Sequence, residues 1–171
     1  MKITTNVFLA AIVASTAICS VAGFAHAGAA DEAEIKALEA RFVKALEAKD
    51  VDAIMAEYVP GDSIVVFDVI PPRQYVGSDA YKRDWQGFLA SCKSPVTVDM
   101  TDLSVIANGK LGYGHSIQRL RCTTPNGSTQ DLTVRVTDGY EKRGGKWLIA
   151  HEHISVPVDL ATSKADLTSK P

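Results

Sequence analysis

The clearest chemical signal in this sequence is a carboxylate between two histidines near the C-terminal end of the chain, His151-Glu152-His153. The three residues lie in a run of aromatic and branched residues, 146–156, which follows a glycine pair and precedes a proline, as is typical of a β-strand. Titratable side chains in such a strand need polar partners, because an unpaired buried charge is costly. We therefore expect the rest of the fold to supply partners for proton transfer or binding at this strand.

The two histidines resemble a metal pair, because residues two apart on a strand share a face with Cα atoms about 6–7 Å apart. A third ligand would be needed on the same face, and His115 is the only candidate. The sequence therefore predicts no metal site. It also contains no glycine-rich phosphate loop, nucleotide fingerprint or Ser–His–Asp order, so no cofactor is predicted.

Composition indicates one ordinary soluble domain and argues against two classes of partner. The chain has 171 residues, of which 46% are hydrophobic and 22% charged, with a formal net charge of -2. A slightly negative net charge gives no sign of the basic surface that binds nucleic acid or an anionic membrane. Neither class of partner is indicated.

The N-terminal segment has the features of an export signal. Residues 1–27 combine a basic start, an apolar run and the small-x-small site Ala25-His26-Ala27. Cleavage there predicts a mature protein that begins at Gly28 and is periplasmic or secreted. We expect one folded domain over 28–158 and a flexible polar tail over 159–171.

Export favours a disulfide between the two cysteines of the mature chain, since oxidising compartments permit disulfides. The Asn108-Gly109 turn predicts a hairpin that brings Cys92 close to the position opposite Cys122. We expect a bridge between them. The alternative is a pair of buried free thiols.

The elements that must position these residues are helices first and long strands afterwards. Apolar spacing predicts helices over 31–49 and 51–58, and a third that is capped by Ser78 or Asp79 and runs to about Ser91. Short strands are predicted at 63–69 and 75–76. Four longer strands joined by tight turns follow, at 96–107, 110–122, 130–143 and 146–156. This order predicts an α+β fold with helices on one face of a curved antiparallel sheet.

Three segments resemble the SnoaL-like branch of the nuclear-transport-factor-like superfamily, which includes ketosteroid isomerases and a kinase association domain: Arg41–Ile54, Asp62 to Asp68, and Gly145–Ser155. The resemblance covers about Glu32 to Val158. It implies a cone-shaped fold, with three N-terminal helices packed on a strongly curved antiparallel sheet. It indicates fold rather than function, because this superfamily contains enzymes, binding modules and assembly domains.

The resemblance also implies roles for three positions. Asp68 falls where ketosteroid isomerases hold their carboxylate base, and Asp138 where they hold a protonated aspartate of the oxyanion site. Phe42 falls where the isomerases have an oxyanion tyrosine. A phenyl ring cannot donate a hydrogen bond, so half of the isomerase oxyanion site is missing.

Strand alternation sorts the remaining polar residues into two faces. If Asp138 faces the interior, Ser116 and Gln118 share its face. Across Gly144-Gly145, a three-residue loop would place Glu152 inside, whereas a two-residue turn would place the two neighbouring histidines there. The resemblance favours Glu152. The alternatives are solvated strand-end carboxylates for Asp68 and Asp138, and a salt bridge on the outer face for Glu152.

We expect an interior pocket with Asp68, Asp138 and Glu152 as catalytic residues. Its predicted ligand-binding residues are Phe42, Tyr58, Trp85, Phe88, Ser116, Gln118 and Ile154. A carboxylate base beside a protonated carboxyl group suits an isomerase, dehydratase or cyclase acting on a small carbonyl compound. The alternative, favoured by the missing hydroxyl at Phe42, is a non-catalytic homodimeric module that binds a small ligand.

A homodimer interface is predicted on the outer face of the sheet, because the mixed aromatic and apolar patch there is large for a surface left in water. Alternation from the predicted register places seven residues on this face: Tyr113, His115, Ile117, Trp147, Ile149, His151 and His153.

Overall fold

The structure, a computed structural model, describes residues 21–169, so residues 1–20 of the predicted signal peptide lie outside the described residues. The elements run α1 (Val21–Glu47), α2 (Val51–Met55), β1 (Val65–Phe67), β2 (Tyr75–Val76), α3 (Ser78–Ser91), β3 (Thr97–Asn108), β4 (Leu111–Thr123), β5 (Thr129–Arg143), β6 (Lys146–Ser155), β7 (Val158–Asp159) and β8 (Lys164–Ala165). The predicted α+β class is confirmed.

The main sheet has six strands in the order β2-β1-β6-β5-β4-β3. Consecutive long strands pair antiparallel through tight turns, as predicted. The expectation of a wholly antiparallel sheet is corrected at one edge, because β1 runs parallel to β6 with Val66 opposite Glu152. No hairpin joins these two strands, so local turn geometry does not set their direction.

The helices cover the inner face of the sheet. Ile35, Leu38, Phe42 and Leu46 recur along α1 and are fully or almost fully buried. Asp50 caps α2 as its position predicts, with Oδ1 accepting a hydrogen bond from the Ala53 amide at 3.0 Å. The description of three N-terminal helices is imprecise, because α3 follows β1 and β2 in the chain.

The start of α3 also differs from the prediction. Its N-cap is Gly77, with φ at 88°, and no side chain caps the helix. Ser78 Oγ instead accepts a hydrogen bond from the Gly61 amide at 3.0 Å, which ties the helix to the preceding turn. The left-handed conformation at position 77 explains why glycine stands there.

The register of β6 is set by a bulge at Ala150. Arg143 pairs with Lys146, so the glycine turn has two residues, and Tyr140 then pairs with Ile149. Gly139 pairs with His151, which leaves Ala150 without a partner on β5. The extra residue returns Glu152 to the inner face, as expected, although through a bulge rather than a longer loop.

The same bulge corrects part of the predicted outer face. Trp147 and Ile149, expected outside, are buried on the inner face and only 2% and 1% exposed. Both residues precede the bulge, and in that part of β6 the odd-numbered side chains face inward, whereas after the bulge the even-numbered ones do. Tyr113, His115 and His153 remain exposed on the outer face.

Two further features tie the C-terminal half of the chain together. The predicted disulfide is confirmed: Cys92 and Cys122, with Cα atoms 5.6 Å apart, link the end of α3 to β4. Residues 158–165, at the start of the predicted tail, form the β7–β8 hairpin. The Thr133 amide donates to the Leu167 carbonyl at 2.7 Å, so the chain just after this hairpin contacts β5 beyond the end of its pairing with β6.

Candidate functional site

Two adjoining spaces open between α3 and the sheet. The inner cavity has a volume of about 90 Å³ and the outer groove about 790 Å³. They share lining residues, among them Val69, Asp84 and Phe88. A compact chemical group could therefore occupy the inner cavity while the remainder of a ligand lies along the groove.

The inner cavity has mainly apolar walls with a few polar groups, as is common for small-molecule sites. Its polar lining residues are Asp68, Asp84, Trp85, Gln118 and Glu152. The apolar lining includes Phe42, Phe88, Leu120, Leu132, Val134, Val136 and Ile154. The structure thus brings Asp68 and Glu152 to one cavity, together with five of the seven predicted ligand-binding residues.

Glu152 lines this cavity and is 3% exposed. The Tyr58 and Tyr81 hydroxyls both donate to Glu152 Oε2, at 3.0 and 2.6 Å. Because both bonds are made to Oε2, Oε1 is left for the cavity. Burial raises the pKa of Glu152 to about 8, although the two phenol hydrogen bonds oppose the shift. The carboxyl group is therefore largely protonated at neutral pH.

The position of Tyr58 explains how this pair of hydroxyls forms. The segment around Tyr58 pairs with β6 through the Val59 amide, which donates to the Ile149 carbonyl at 2.9 Å. Tyr81 approaches from the first turns of α3, and its ring meets that of Tyr58 edge to face, with centroids 5.4 Å apart. Tyr58, predicted to bind ligand, therefore holds Glu152 and does not line the cavity.

Asp68 lines the same cavity and is partly exposed. It follows β1 two residues after Val66, the residue opposite Glu152, so alternation directs both carboxyl groups to the same face. Burial raises the pKa of Asp68 to about 6, and the nearby Asp84 carboxylate adds to the rise. Asp68 is therefore mostly ionised at neutral pH, unlike Glu152.

Asp138 lies behind the cavity rather than on its wall. It is 3% exposed, and its Oδ1 has no hydrogen-bond partner within residues 21–169. Tyr140 donates to Glu39 Oε1 at 2.7 Å and lies 3.5 Å from Asp138 Oδ2. Burial raises the pKa of Asp138 well above its ordinary range, and the Glu152 and Glu39 carboxylates raise it further. Asp138 thus belongs to a second, enclosed group of polar residues with Glu39 and Tyr140.

Of the two predicted polar ligand-binding residues on β4, Gln118 lines the cavity and Ser116 does not. The Gln118 amide lines the cavity and donates from Nε2 to Ser116 Oγ at 3.2 Å. Ser116 is buried and does not line the cavity. It therefore positions Gln118 and has no direct access to a ligand in the cavity.

Sequence reasoning did not single out Tyr81, Asp84 or Glu39 as site residues. Glu39 could have been found from helical spacing, since it lies four residues after Ile35 and three before Phe42, on the buried face of α1. Burial raises its pKa to about 7, with the Tyr140 hydrogen bond opposing the shift. The approach of Tyr81 to Glu152 carries no such local signal, because 71 residues separate the two.

The two histidines beside Glu152 lie on the opposite face of β6. His151 Nδ1 is 2.7 Å from the Val65 carbonyl, and the Phe67 ring contacts both imidazoles edge to face. Among the side chains of residues 28–169, no three from His, Cys, Asp or Glu are grouped so as to hold a metal ion. In the same part of the chain, no helix is long and apolar enough to span a membrane.

Comparison with known proteins finds one matching family model and several solved structures with a similar fold. The model of the SnoaL-like domain family matches residues 35–159. A solved structure of an NTF2-like protein of unknown function from Pseudomonas putida KT2440 is 35% identical, with a TM-score of 0.74. That match covers 84% of this chain and 98% of the Pseudomonas chain. No curated protein matches the sequence.

Two more distant structures share the fold. A protein from Streptomyces avermitilis, provisionally described as a dehydratase of the NTF2-like family, is 17% identical with a TM-score of 0.64, and the match covers 75% of this chain and 97% of that one. A protein from Novosphingobium aromaticivorans, provisionally described as a scytalone dehydratase, is 14% identical with a TM-score of 0.68. That match covers 76% of this chain and 86% of the Novosphingobium chain. At these identities the likeness concerns the fold alone.

Proposed function

The chain belongs to the SnoaL-like domain family, and from this premise we propose that it is a proton-transfer enzyme of the isomerase or dehydratase type. The observation that carries the proposal is the pairing of Asp68 and Glu152 on one cavity, with pKa values near 6 and 8. Near neutral pH this arrangement supplies one ionised base and one protonated acid, which general acid–base catalysis requires. The provisional descriptions of two structural neighbours as dehydratases agree with this reaction class.

The proposed reaction begins with a small carbonyl compound in the inner cavity. Asp68 removes a proton from the carbon next to the carbonyl group, and the electron pair of that C–H bond moves into an enolate. In a dehydration, the enolate expels a β-hydroxyl group and Glu152 supplies the proton that makes it water. In an isomerisation, the proton returns to a different carbon. Neither reaction needs an oxidant or a cofactor.

The test measures proton abstraction directly, without knowledge of the natural substrate. Cyclohexanone in D₂O is followed by NMR for exchange of its α-protons. We expect the protein to accelerate exchange, and Asp68→Asn to abolish the acceleration because an amide is not a base at this pH. Glu152→Gln should reduce exchange less, since an amide can still donate a hydrogen bond.

Asp102→Asn is the matched control for this experiment. Asp102 is exposed on β3 with φ at 54°, a conformation that asparagine also tolerates. This variant should exchange as fast as the unchanged protein. Equal exchange by the protein, its Asp68→Asn variant and buffer alone would end the enzymatic proposal.

The second candidate function is ligand binding without chemistry, and the size of the outer groove favours it. The groove is far larger than the inner cavity and has a mainly apolar lining, in which the charged residues are Arg83, Asp84, Arg121 and Asp131. Binding of a ligand without exchange or turnover, and with Asp68→Asn changing only affinity, would support this candidate over the enzyme.

We also propose that the protein is exported. The N-terminal pattern motivates the proposal, and the Cys92–Cys122 disulfide is compatible with an oxidising compartment. The cleavage site after Ala27 falls within the backbone span of α1, Val21–Glu47. N-terminal sequencing of exported protein should begin at Gly28, and a sequence that begins at Met1 would contradict the proposal.

A homodimer through the outer face of the sheet remains a proposal as well. The corrected patch contains Phe67, Ile106, Tyr113, His115 and His153, and the first three are 38%, 63% and 48% exposed. Burying such a patch in a two-fold interface removes apolar surface from water. Light scattering should give the mass of a dimer that Tyr113→Glu converts to a monomer, whereas a monomeric unchanged protein would contradict the proposal.

A further inference from the structure

We infer that Trp85 is a binding residue whose indole N–H donates a hydrogen bond to a neutral carbonyl oxygen of the ligand in the inner cavity. The binding inference stands whether or not the protein is an enzyme. Only its consequence for the reaction, stabilisation of the developing enolate oxygen, rests on the proposed function.

The starting observation is an unused donor. Trp85 is 7% exposed and lines the inner cavity, yet its Nε1 has no hydrogen-bond partner among the described residues. The other tryptophan behaves differently: Trp147 Nε1 donates to Asp31 Oδ1 at 3.1 Å. A buried donor without an acceptor costs free energy, and native proteins rarely keep one without a reason.

Packing holds the indole ring in place around this donor. Trp85 meets Phe42, Tyr81 and Phe88 edge to face, with centroids 5.7, 5.6 and 6.0 Å apart. Three aromatic neighbours on different parts of α1 and α3 restrict rotation of the ring. The donor is therefore held in advance of binding, which lowers the entropy lost when a ligand acceptor meets it.

The charges around the cavity decide the kind of acceptor. Asp68, Asp84 and Glu152 line the same space, and Asp68 is mostly ionised at neutral pH. An anionic head group would be repelled by these carboxylates and would lose its hydration in an apolar space. A neutral carbonyl oxygen accepts the indole hydrogen bond without either cost.

This assignment makes Trp85 the hydrogen-bond donor that is missing at position 42, where the resemblance implies a tyrosine and the sequence has Phe42. Phe42 cannot donate a hydrogen bond, but its ring lies against Trp85, whose N–H has no acceptor among the described residues. During proton removal by Asp68, negative charge grows on the carbonyl oxygen. A hydrogen bond from Trp85 strengthens as that charge develops, so it favours the transition state over the bound ketone.

The experiment uses the two indole N–H resonances in a ¹H–¹⁵N spectrum of the uniformly ¹⁵N-labelled protein. Cyclohexanone is compared with methylenecyclohexane, in which a CH₂ group replaces the carbonyl oxygen. Cyclohexanone should move the Trp85 indole proton downfield, as expected for a new hydrogen bond, and methylenecyclohexane should not. The Trp147 resonance should stay in place with both compounds, because its partner is Asp31.

Affinity gives an independent measurement. Trp85→Phe keeps an aromatic ring in the packed cluster and removes the donor. We expect it to weaken cyclohexanone binding by about tenfold, in the range of one hydrogen bond, and to leave methylenecyclohexane binding unchanged. Equal losses for the two compounds would mean that the variant acts through packing, and would overturn the assignment.

The spectrum of the unchanged protein decides the matter even if Trp85→Phe fails to fold. A Trp85 resonance that cyclohexanone leaves in place, or that both compounds move equally, overturns the inference. Such a result is distinguishable from failure of the enzymatic proposal, since proton exchange and its loss in Asp68→Asn are measured separately.

Discussion

Asp138 and Glu152 lie directly opposite each other on β5 and β6, and each is only 3% exposed. Burial raises the pKa of both carboxyl groups, and the proximity of Glu152 raises that of Asp138 further. Nearby Glu39 is buried on α1 and has its pKa raised to about 7. The core of this protein therefore holds several carboxyl groups that resist ionisation, and Glu152 is the one that also meets the cavity.

Stability should fall as pH rises from 5 to 8. In the folded protein the pKa values of Asp68, Glu39 and Glu152 are about 6, 7 and 8, above the ordinary values of 3.8 for Asp and 4.5 for Glu that apply after unfolding. The folded state thus holds protons that the unfolded state releases in this window. Each such proton changes the free energy of unfolding by about 1.4 kcal/mol per pH unit.

Urea unfolding at pH 5, 6, 7 and 8 measures this dependence. Glu152→Gln should flatten the decline at its upper end, between pH 6 and 8, because the amide does not ionise. The acids with lowered pKa values, Asp31, Glu141 and Asp166, lose stability only at more acidic pH and do not oppose the trend in this window. A free energy of unfolding that rises from pH 5 to 8 would contradict the prediction.

Tyr81→Phe should raise the pKa of Glu152 above its value in the unchanged protein. The Tyr81 hydroxyl makes the shorter of the two phenol hydrogen bonds to Oε2, and these bonds stabilise the carboxylate. ¹³C NMR titration of the Glu152 side-chain carbonyl measures the shift. Tyr75→Phe is the control, since the Tyr75 hydroxyl donates to Asp84 at 2.7 Å and not to Glu152.

Removing the charge of Asp68 should cost the empty protein little stability. Its carboxylate is held near other acids and partly out of water, so Asp68→Asn relieves desolvation and repulsion. Partial exposure limits the gain, and we expect a change between zero and about 1 kcal/mol in the stabilising direction at pH 8. Thermal unfolding measures it, and a large loss of stability would indicate that Asp68 has a structural role instead.

Gly114→Ala should displace Tyr140 and destabilise the buried acidic group. A Cβ at position 114 would lie 3.0 Å from the Tyr140 ring and hydroxyl and 3.1 Å from the Ser104 carbonyl. Overpacking of this kind costs about 1–3 kcal/mol. Gly87→Ala in α3 is the matched control: a Cβ there meets nothing within 4 Å, so we expect a gain of roughly 0.5–1 kcal/mol. Equal effects of the two substitutions in urea unfolding would contradict the prediction.

The disulfide should contribute measurably to stability. Cys92 and Cys122 are 30 residues apart, and closing a loop of this length corresponds to about 3–4 kcal/mol in the chain-entropy account. Unfolding in the presence and absence of a reductant measures the contribution. Full thiol labelling of denatured protein that has not been reduced would show that the bridge does not form.

The sequence by itself determined the fold class, the hairpins and the pairing of the cysteines. Apolar spacing in α1 and the turns at Asn108-Gly109 and Gly144-Gly145 are local features, and the observed elements follow them closely. Local patterns determine local structure because turn geometry and side-chain periodicity depend on neighbouring residues. The resemblance to a known family also directed attention to Asp68 and Glu152, which share the inner cavity.

Tertiary structure alone decided which polar groups meet. Because of the bulge at Ala150, just after Ile149 pairs with both Tyr140 and the segment around Tyr58, Trp147 before the bulge and Glu152 after it both face inward. Period-two alternation cannot reveal such a bulge, because one extra residue shifts every later side chain to the other face. The contacts of Tyr58 and Tyr81 with Glu152 span 94 and 71 residues, so only the packing of helices against the sheet brings them together.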